Sequence, residues 1–217
     1  MGEHMVKGII FDFDGTLVDT EEVAYQAVKQ YLRDTYQVTY TRRDYQKSIG
    51  SADGVFYQHL EKSLGKPVDV EAIEACFTQA QRTKYPEVPL REGIVEVIQY
   101  GKKNQLKLAI VSNSRKAELM HFFAHHQELM SVFDLILTRD DVKEGKPAPE
   151  GYQKCLAQLA LSEEEVIALE DSPTGVTAAL SAGLKVLAYP NAFTTGMVFP
   201  EEAMVVAAAD LAARRFI

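Results

Sequence analysis

Short apolar runs recur along the chain, and each ends in a polar cluster. Val6-Lys7-Gly8-Ile9-Ile10-Phe11 leads into Asp12-Phe13-Asp14-Gly15, the pattern of a buried parallel strand that delivers acidic residues at its carboxyl end. Runs of the same kind lie at 106–111, 135–138, 166–169 and 185–189. Helical periodicity separates them, at roughly 93–103, 115–126, 149–159 and 174–182, and Gly183 is placed to stop the last helix before the next strand. Strands alternating with helices predict an α/β fold with a doubly wound parallel sheet.

One region breaks the alternation. From about Thr20 to Tyr85 the pattern is helical, with Val23, Ala27, Val28, Tyr31 and Leu32 on one face. Ala72, Ile73, Cys76, Phe77 and Ala80 make a second face, and Pro86 and Pro89 then bracket a stiff link back to the alternating pattern. The expected organisation is a helical unit over 18–88 inserted into an α/β core formed by 1–17 and 89–217.

Composition narrows the function classes. Of 217 residues, 47% are hydrophobic and 25% charged, enough apolar material for a core without staples. The net charge of −8 argues against a nucleic-acid-binding face. Cys76 and Cys155 make no disulfide framework, no apolar run approaches the roughly 20 residues that span a bilayer, and the start carries no signal-peptide pattern. These features predict a cytoplasmic protein with no membrane partner, monomeric or weakly homodimeric.

In an open α/β sheet, ligands bind beyond the carboxyl ends of the strands. The polar residues expected there are Asp12, Asp14, Gly15 and Thr16 after the first strand, and Ser112-Asn113-Ser114 after the second. Lys146 lies in the loop after the third, and Glu170-Asp171-Ser172 follow the fourth. Carboxylates with no histidine nearby in sequence make a hard oxygen site suited to Mg²⁺. A carboxylate can also attack phosphorus and divide the reaction into two easier steps, while a second one protonates the leaving oxygen and then activates water. Ser112, the Asn113 amide and Lys146 can hold the non-bridging oxygens, and glycine at position 15 lets backbone approach a ligand. A small phosphorylated metabolite is the expected partner.

Asp12-Phe13-Asp14-Gly15-Thr16, the Ser112-Asn113-Ser114 strand end, Gly145-Lys146-Pro147 and Glu170-Asp171-Ser172 resemble, in order, the four motifs of the haloacid dehalogenase-like hydrolase superfamily. The helical insertion looks like that family's α-helical cap, which places the chain near the β-phosphoglucomutase and phosphoglycolate phosphatase-like branch. The resemblance implies a Rossmann-like core and a Mg²⁺-dependent phosphatase working through an aspartyl-phosphate. It makes Asp12 the nucleophile and Asp14 the general acid and base. Asp12, the Asp14 main-chain carbonyl and Asp171 would hold Mg²⁺ with Glu170 nearby, and Ser112 and Lys146 would bind the phosphoryl group. Lys146 should also help keep Asp12 ionised.

Within the family, Asp14 and Asp171 argue against the metal-independent dehalogenases. Lys47, Lys62, Lys66 and Lys84 fit no recognisable pattern for a Schiff-base phosphonatase. Sugar phosphomutases of the β-phosphoglucomutase type remain an alternative, but the chain departs from them at Thr16, at Ala24 and at Gly50-Ser51-Ala52-Asp53, where Asp53 would repel a second phosphate. A non-catalytic phospho-ligand-binding protein is the other alternative, although no core motif is lost. Tyr45, Gly50, Ser51 and Asp53 are the candidates for a substrate loop. His121 and His125 are spaced for zinc, but Phe122-Phe123 between them reads as a buried face. Glu163-Glu164-Glu165 reads as a helix start capped by Ser162.

Overall fold

The computed structural model describes residues 5–47, 49 and 55–213. Its centre is a six-stranded sheet of β1 (Gly8–Phe11), β2 (Lys107–Val111), β3 (Leu135–Leu137), β4 (Val166–Glu170), β5 (Lys185–Ala188) and β6 (Met204–Val205). The order is β3-β2-β1-β4-β5-β6, with every pair parallel. Ile9 and Phe11 of β1 point into one core and Ile10 into the other, as the two-residue pleat requires. Both faces are therefore covered, which is why the strands read as continuous apolar runs rather than alternating ones.

Helices α5 (Ile94–Lys103) and α6 (Lys116–Phe123) close one face, with Val97, Ile98, Leu119 and Phe122 buried against it. Helices α8 (Glu150–Leu159) and α9 (Pro173–Ser181) close the other with Tyr152, Cys155, Val176 and Ala179. A short α7 (Gln127–Met130) follows α6, and α10 (Ala208–Ala213) packs on α5. The chain winds from β1 outward to β3, then crosses back to place β4 on the other side of β1. That reversal opens a crevice between β1 and β4 at their carboxyl ends, the place where such sheets bind ligands.

Between β1 and α5 lie the helices α1 (Thr20–Tyr36), α2 (Arg42–Gln46), α3 (Val55–Leu64) and α4 (Val70–Lys84). They enclose their own core of Tyr25, Val28, Leu32, Tyr40, Tyr45, Leu60 and Ile73, and Phe193 enters it from the loop after β5. The expected stripe on α1 is thereby shifted. Tyr25, Val28 and Leu32 are buried at i, i+3 and i+7, facing Phe193, whereas Val23, Ala27 and Tyr31 are half-buried and line a groove shared with α4. The chain entering this unit and the chain leaving it meet in a single antiparallel bridge between Val18 and Leu90.

Two further expectations change. The helix read over 115–126 ends at Phe123, and His126 turns back to stack on Phe122 at 4.2 Å, with Nε2 at 3.0 Å from the Pro86 carbonyl. Glu163–Glu165 is capped by Ser162 as expected, but the capped element is a single 3-10 turn running directly into β4. The strand β6 and helix α10 escape a periodicity reading because each is shorter than the window such a reading needs. Among the described residues no helix is long and apolar enough to cross a membrane, and both cysteines are free thiols.

Candidate active site

The register of the parallel ladder sets the site. Phe11 is level with Ile110 on one side and Leu169 on the other, so the polar residues that follow each strand emerge at one height. Asp12 extends the ladder by donating its N–H to the Leu169 carbonyl at 2.9 Å, and Ser112 does the same to Leu137 at 3.0 Å. Lys146 reaches in from the loop before α8, and its three donors are all engaged. They bond Asp12 Oδ1 at 2.6 Å, Glu170 Oε1 at 2.6 Å and the Val111 carbonyl at 2.7 Å. An ammonium so buried is tolerable because two carboxylates and a carbonyl replace its water.

Asp14 turns away from this pair. Thr20 Oγ1 donates to its Oδ1 at 2.7 Å, while Ser114 Oγ at 2.6 Å and Ser112 Oγ at 3.3 Å donate to its Oδ2. Asp12, Asp14, Ser112, Lys146 and Asp171 line one cavity of about 180 Å³, joined from α1 by Glu21. A larger groove of about 1170 Å³ lies between α1 and α4, but none of these strand-end residues faces it. Chemistry, not size, identifies the smaller cavity as the candidate active site.

Asp12, Glu170 and Asp171 are all buried, and each offers an oxygen within 4.8 Å of the others. Asp12 Oδ2 and Glu170 Oε2 have no hydrogen-bond partner. Buried carboxylate oxygens left unpaired carry a large desolvation cost unless a cation completes them. The donor set therefore fits a hard divalent cation. Glu170 is pressed into this position by α9: a Cβ on Gly175 would lie 2.0 Å from Glu170 Oε2, so only glycine fits there.

Several predicted residues sit elsewhere than expected. Gly15 does not face the cavity; its φ of +79° is open to glycine, and a Cβ would meet Asp171 Oδ2 at 2.4 Å and Asn191 Nδ2 at 2.5 Å. The close approach is thus to the protein's own carboxylate, not to a ligand. Thr16 is fully buried behind the turn, where its hydroxyl donates to Asp171 Oδ1 at 3.3 Å. Asn113 lines the cavity, but its side chain clamps the Lys146 backbone: Oδ1 accepts from the Lys146 N–H at 2.7 Å and Nδ2 donates to the Lys146 carbonyl at 3.0 Å. The Asp14 side chain stands apart from the carboxylate trio, which leaves only its main chain for the metal role. Tyr45 is buried in the cap core and reaches the site indirectly, its hydroxyl donating to Glu21 Oε2 at 2.7 Å. Gly50, Ser51 and Asp53 lie outside the described residues. None of Lys47, Lys62, Lys66 and Lys84 lines the cavity.

Sequence reasoning missed four residues. Glu21 sits in the first turn of α1, where an acidic residue is ordinary and carries no signal of a site. Asn191 holds Asp171 Oδ2 at 2.7 Å; its signal was the Pro190-Asn191 pair just past β5, a turn at the sheet rim. Arg91 donates to the carbonyls of Gly15, Tyr189 and Pro190 and stacks on the Tyr189 ring at 3.6 Å. Phe193 gave no signal, since the loop after β5 has no regular apolar period that would mark one residue as buried.

Crowded carboxylates in a dry crevice hold protons tightly. Burial first, then the charge on Asp12, pushes Asp14 up to about 6. Burial likewise raises Glu21 to about 7 and Glu170 to about 7, and lifts Asp171 well above the ordinary range. These groups bind protons more readily in the folded chain than in the unfolded one, so stability rises as pH falls from about 7 toward ordinary carboxylate values. Asp44 and Glu165 are held near 2, chiefly by Thr41 and Lys7 respectively. They act in the opposite sense, but only below the ordinary carboxylate range and from exposed positions. In cation-free buffer the melting temperature should therefore be higher near pH 5.5 than near pH 8, and a divalent cation should raise it most at pH 8. Thermal unfolding across that range checks this; a melting temperature that falls on acidification from 8 to 5.5 would contradict it.

Comparison with known proteins agrees with this geometry. The sequence pattern of the haloacid dehalogenase-like hydrolases matches residues 9–189. The CbbY protein of Rhodobacter capsulatus is 30% identical over 200 residues, covering 88% of each chain. A phosphorylated carbohydrates phosphatase of Thermotoga maritima is 29% identical over 182 residues, covering 83% of each. The crystal structure of CbbY from Rhodobacter sphaeroides, in complex with xylulose-(1,5)-bisphosphate, superposes with a TM-score of 0.79 at 25% identity and 96% coverage of both chains. With its motifs at the strand ends and relatives matched along most of its length, the chain belongs to the haloacid dehalogenase-like hydrolase family of enzymes.

Proposed function

We propose that the chain is a Mg²⁺-dependent phosphatase acting on a small phosphomonoester, such as a sugar or polyol phosphate, through an aspartyl-phosphate. The observation that carries this reading is the division of labour between two neighbouring carboxylates. Asp12 is paired with Lys146 and keeps one oxygen unpartnered, while Asp14 is held apart by three hydroxyls. A carboxylate facing a cationic partner is suited to attack phosphorus. A carboxyl group pushed up to about 6 can give and take a proton near neutral pH.

In the first step a bond forms between Asp12 and phosphorus as the phosphorus–alkoxide bond breaks, and Asp14 delivers its proton to the departing oxygen. In the second, Asp14 takes a proton from the water that attacks phosphorus, freeing Asp12 and inorganic phosphate. Lys146 and Ser112 steady the non-bridging oxygens, Lys146 exchanging one of its present partners to do so. Asp12, Asp171 and the Asp14 main-chain carbonyl would hold Mg²⁺, with Glu170 beside them, and the ion screens repulsion between carboxylate and phosphate. The helical segment over 18–88 acts as a cap that excludes bulk water.

The cavity of about 180 Å³ is below the roughly 300 Å³ at which sites for drug-sized ligands begin, which supports a small substrate. Among its described lining residues Lys146 alone is cationic and Glu21 adds a negative charge, which supports one phosphate rather than two. A hydrolysis screen over phosphorylated metabolites tests the reading, pairing mono- with bisphosphates, with Mg²⁺ and with a chelator. Phosphate release that requires Mg²⁺ and favours monophosphates is expected. Metal-independent turnover, or no hydrolysis of any phosphomonoester, would refute it.

A further inference from the structure

The turn that follows β5 touches both the carboxylate cluster and the cap. Asn191 is buried, and its Oδ1 accepts the N–H groups of Phe193 at 2.7 Å and Thr194 at 3.0 Å. Two donors on that oxygen fix the amide's orientation, so Nδ2 faces Asp171 Oδ2 at 2.7 Å and the Gly15 carbonyl at 3.4 Å. The Asn191 N–H in turn donates to Thr194 Oγ1 at 2.9 Å, closing the turn. Asp171 is thus held at Oδ2 by a residue outside the four strand-end motifs, while Thr16 holds its Oδ1 more weakly at 3.3 Å.

Two residues on, Phe193 leaves the α/β core and is fully buried among cap side chains. Its ring lies 5.5 Å from that of Tyr25 and 5.4 Å from that of Tyr45, with the Arg42 guanidinium 4.8 Å away. Its carbonyl accepts Gln46 Nε2 at 2.7 Å. Tyr45, on which the ring packs, donates to Glu21 in the cavity wall. One short turn therefore has its amide on a metal-site carboxylate and its aromatic ring in the cap core.

We propose that the turn 191–194 is a clasp coupling cap seating to the metal site: Asn191 is a positioning residue for Asp171, and Phe193 carries the state of the cap to it. The physical reason is that the Phe193 main chain supplies one of the donors that orient the Asn191 amide. Unseating the ring frees that main chain, loosens the amide, and lets Asp171 swing. The inference rests on the reading of Asp171 as a ligand of a divalent cation.

Mg²⁺ binding measured by calorimetry on the substrate-free enzyme tests it, alongside kcat and KM. Asn191→Ala should weaken Mg²⁺ binding by about tenfold or more, the usual effect of removing a group that orients a ligand. Phe193→Ala, which touches none of the carboxylates, should weaken it between roughly twofold and thirtyfold. The double variant should lose less than the product of the two single losses. Phe193→Leu, which keeps much of the apolar volume that seats the turn, should recover most of the affinity. If Phe193→Ala fails to fold, Gln46→Ala, which cuts the bond on the Phe193 carbonyl, replaces it with the same expectation. Folded Phe193 or Gln46 variants with unchanged Mg²⁺ affinity, or strictly multiplicative losses, would overturn the clasp. An unsubstituted chain that binds no Mg²⁺ would refute the cation reading itself and the clasp with it, a result distinct from either pattern.

Discussion

Asp12→Asn should abolish phosphate release while leaving the fold at least as stable as before. Loss of a covalent nucleophile from a site that otherwise keeps its binding groups typically costs about 10⁴-fold or more in turnover. The amide cannot attack phosphorus, and no neighbouring carboxylate replaces it, since Asp14 is tied to Thr20, Ser112 and Ser114. Stability should move the other way. Asp12 carries a buried oxygen without a partner and faces Glu170 and Asp171 in a dry cluster. Removing its charge relieves repulsion, and Lys146 still keeps Glu170 and the Val111 carbonyl. Phosphate-release kinetics and thermal unfolding in cation-free buffer check both halves. Turnover near the wild-type rate would end the nucleophile assignment, and a clear drop in melting temperature would contradict the account of the cluster's electrostatics.

Lys146→Met should differ in its effect on the fold, with activity and stability both lost. The methionine keeps the apolar stem but leaves Asp12 and Glu170 buried without their cation. Breaking a buried pair in this way costs about 3–5 kcal/mol, because the remaining charge has no solvent to return to. Those two carboxylates hold the Lys146 ammonium well above its usual value against the opposing effect of burial. The raised value means that the pair's contribution is present at all pH below the ordinary lysine range, and is lost only as pH rises through the folded-state value. The variant's deficit should nevertheless depend on pH through its partner. Burial already pushes Glu170 up to about 7, and without Lys146 it will take a proton earlier still. The deficit should therefore be largest near pH 8 and shrink toward pH 5.5. Denaturant unfolding at the two values measures it; a loss below about 1 kcal/mol at pH 8 would place the pair with ordinary surface ion pairs.

The parts of this site that were legible in the sequence share one property: each follows an apolar run in the chain. Asp12, Asp14, Ser112 and Asp171 could be placed on one rim because parallel strands in register end together, and Lys146 because it lies in the loop that follows the third strand. The parts that were not legible are joined across the chain by contacts that leave no local trace. Glu21 reaches the cavity only because α1 packs over the crevice. Asn191 matters through a carboxylate contributed by another strand. Phe193 is a loop residue outside any periodic pattern, and its burial depends on helices more than a hundred residues earlier. Gly15 was recognisable as special, but the reason was misread. A residue that must leave room looks the same in sequence whether it makes room for a ligand or for the protein's own side chain.

The pairing of Val18 with Leu90 bears on how such an enzyme can change its substrate. The helical segment enters and leaves the sheet at one point, its two ends separated by about the spacing of neighbouring strands, some 5 Å. A segment with adjacent ends can be lengthened, shortened or replaced without asking the strands to move, so an ancestral core could try many lids over an unchanged reaction. The residue that limits this freedom lies outside the segment. Phe193 needs an aromatic socket in whatever lid is grafted above it, and a transplanted lid lacking that socket would close over the substrate without gripping the core.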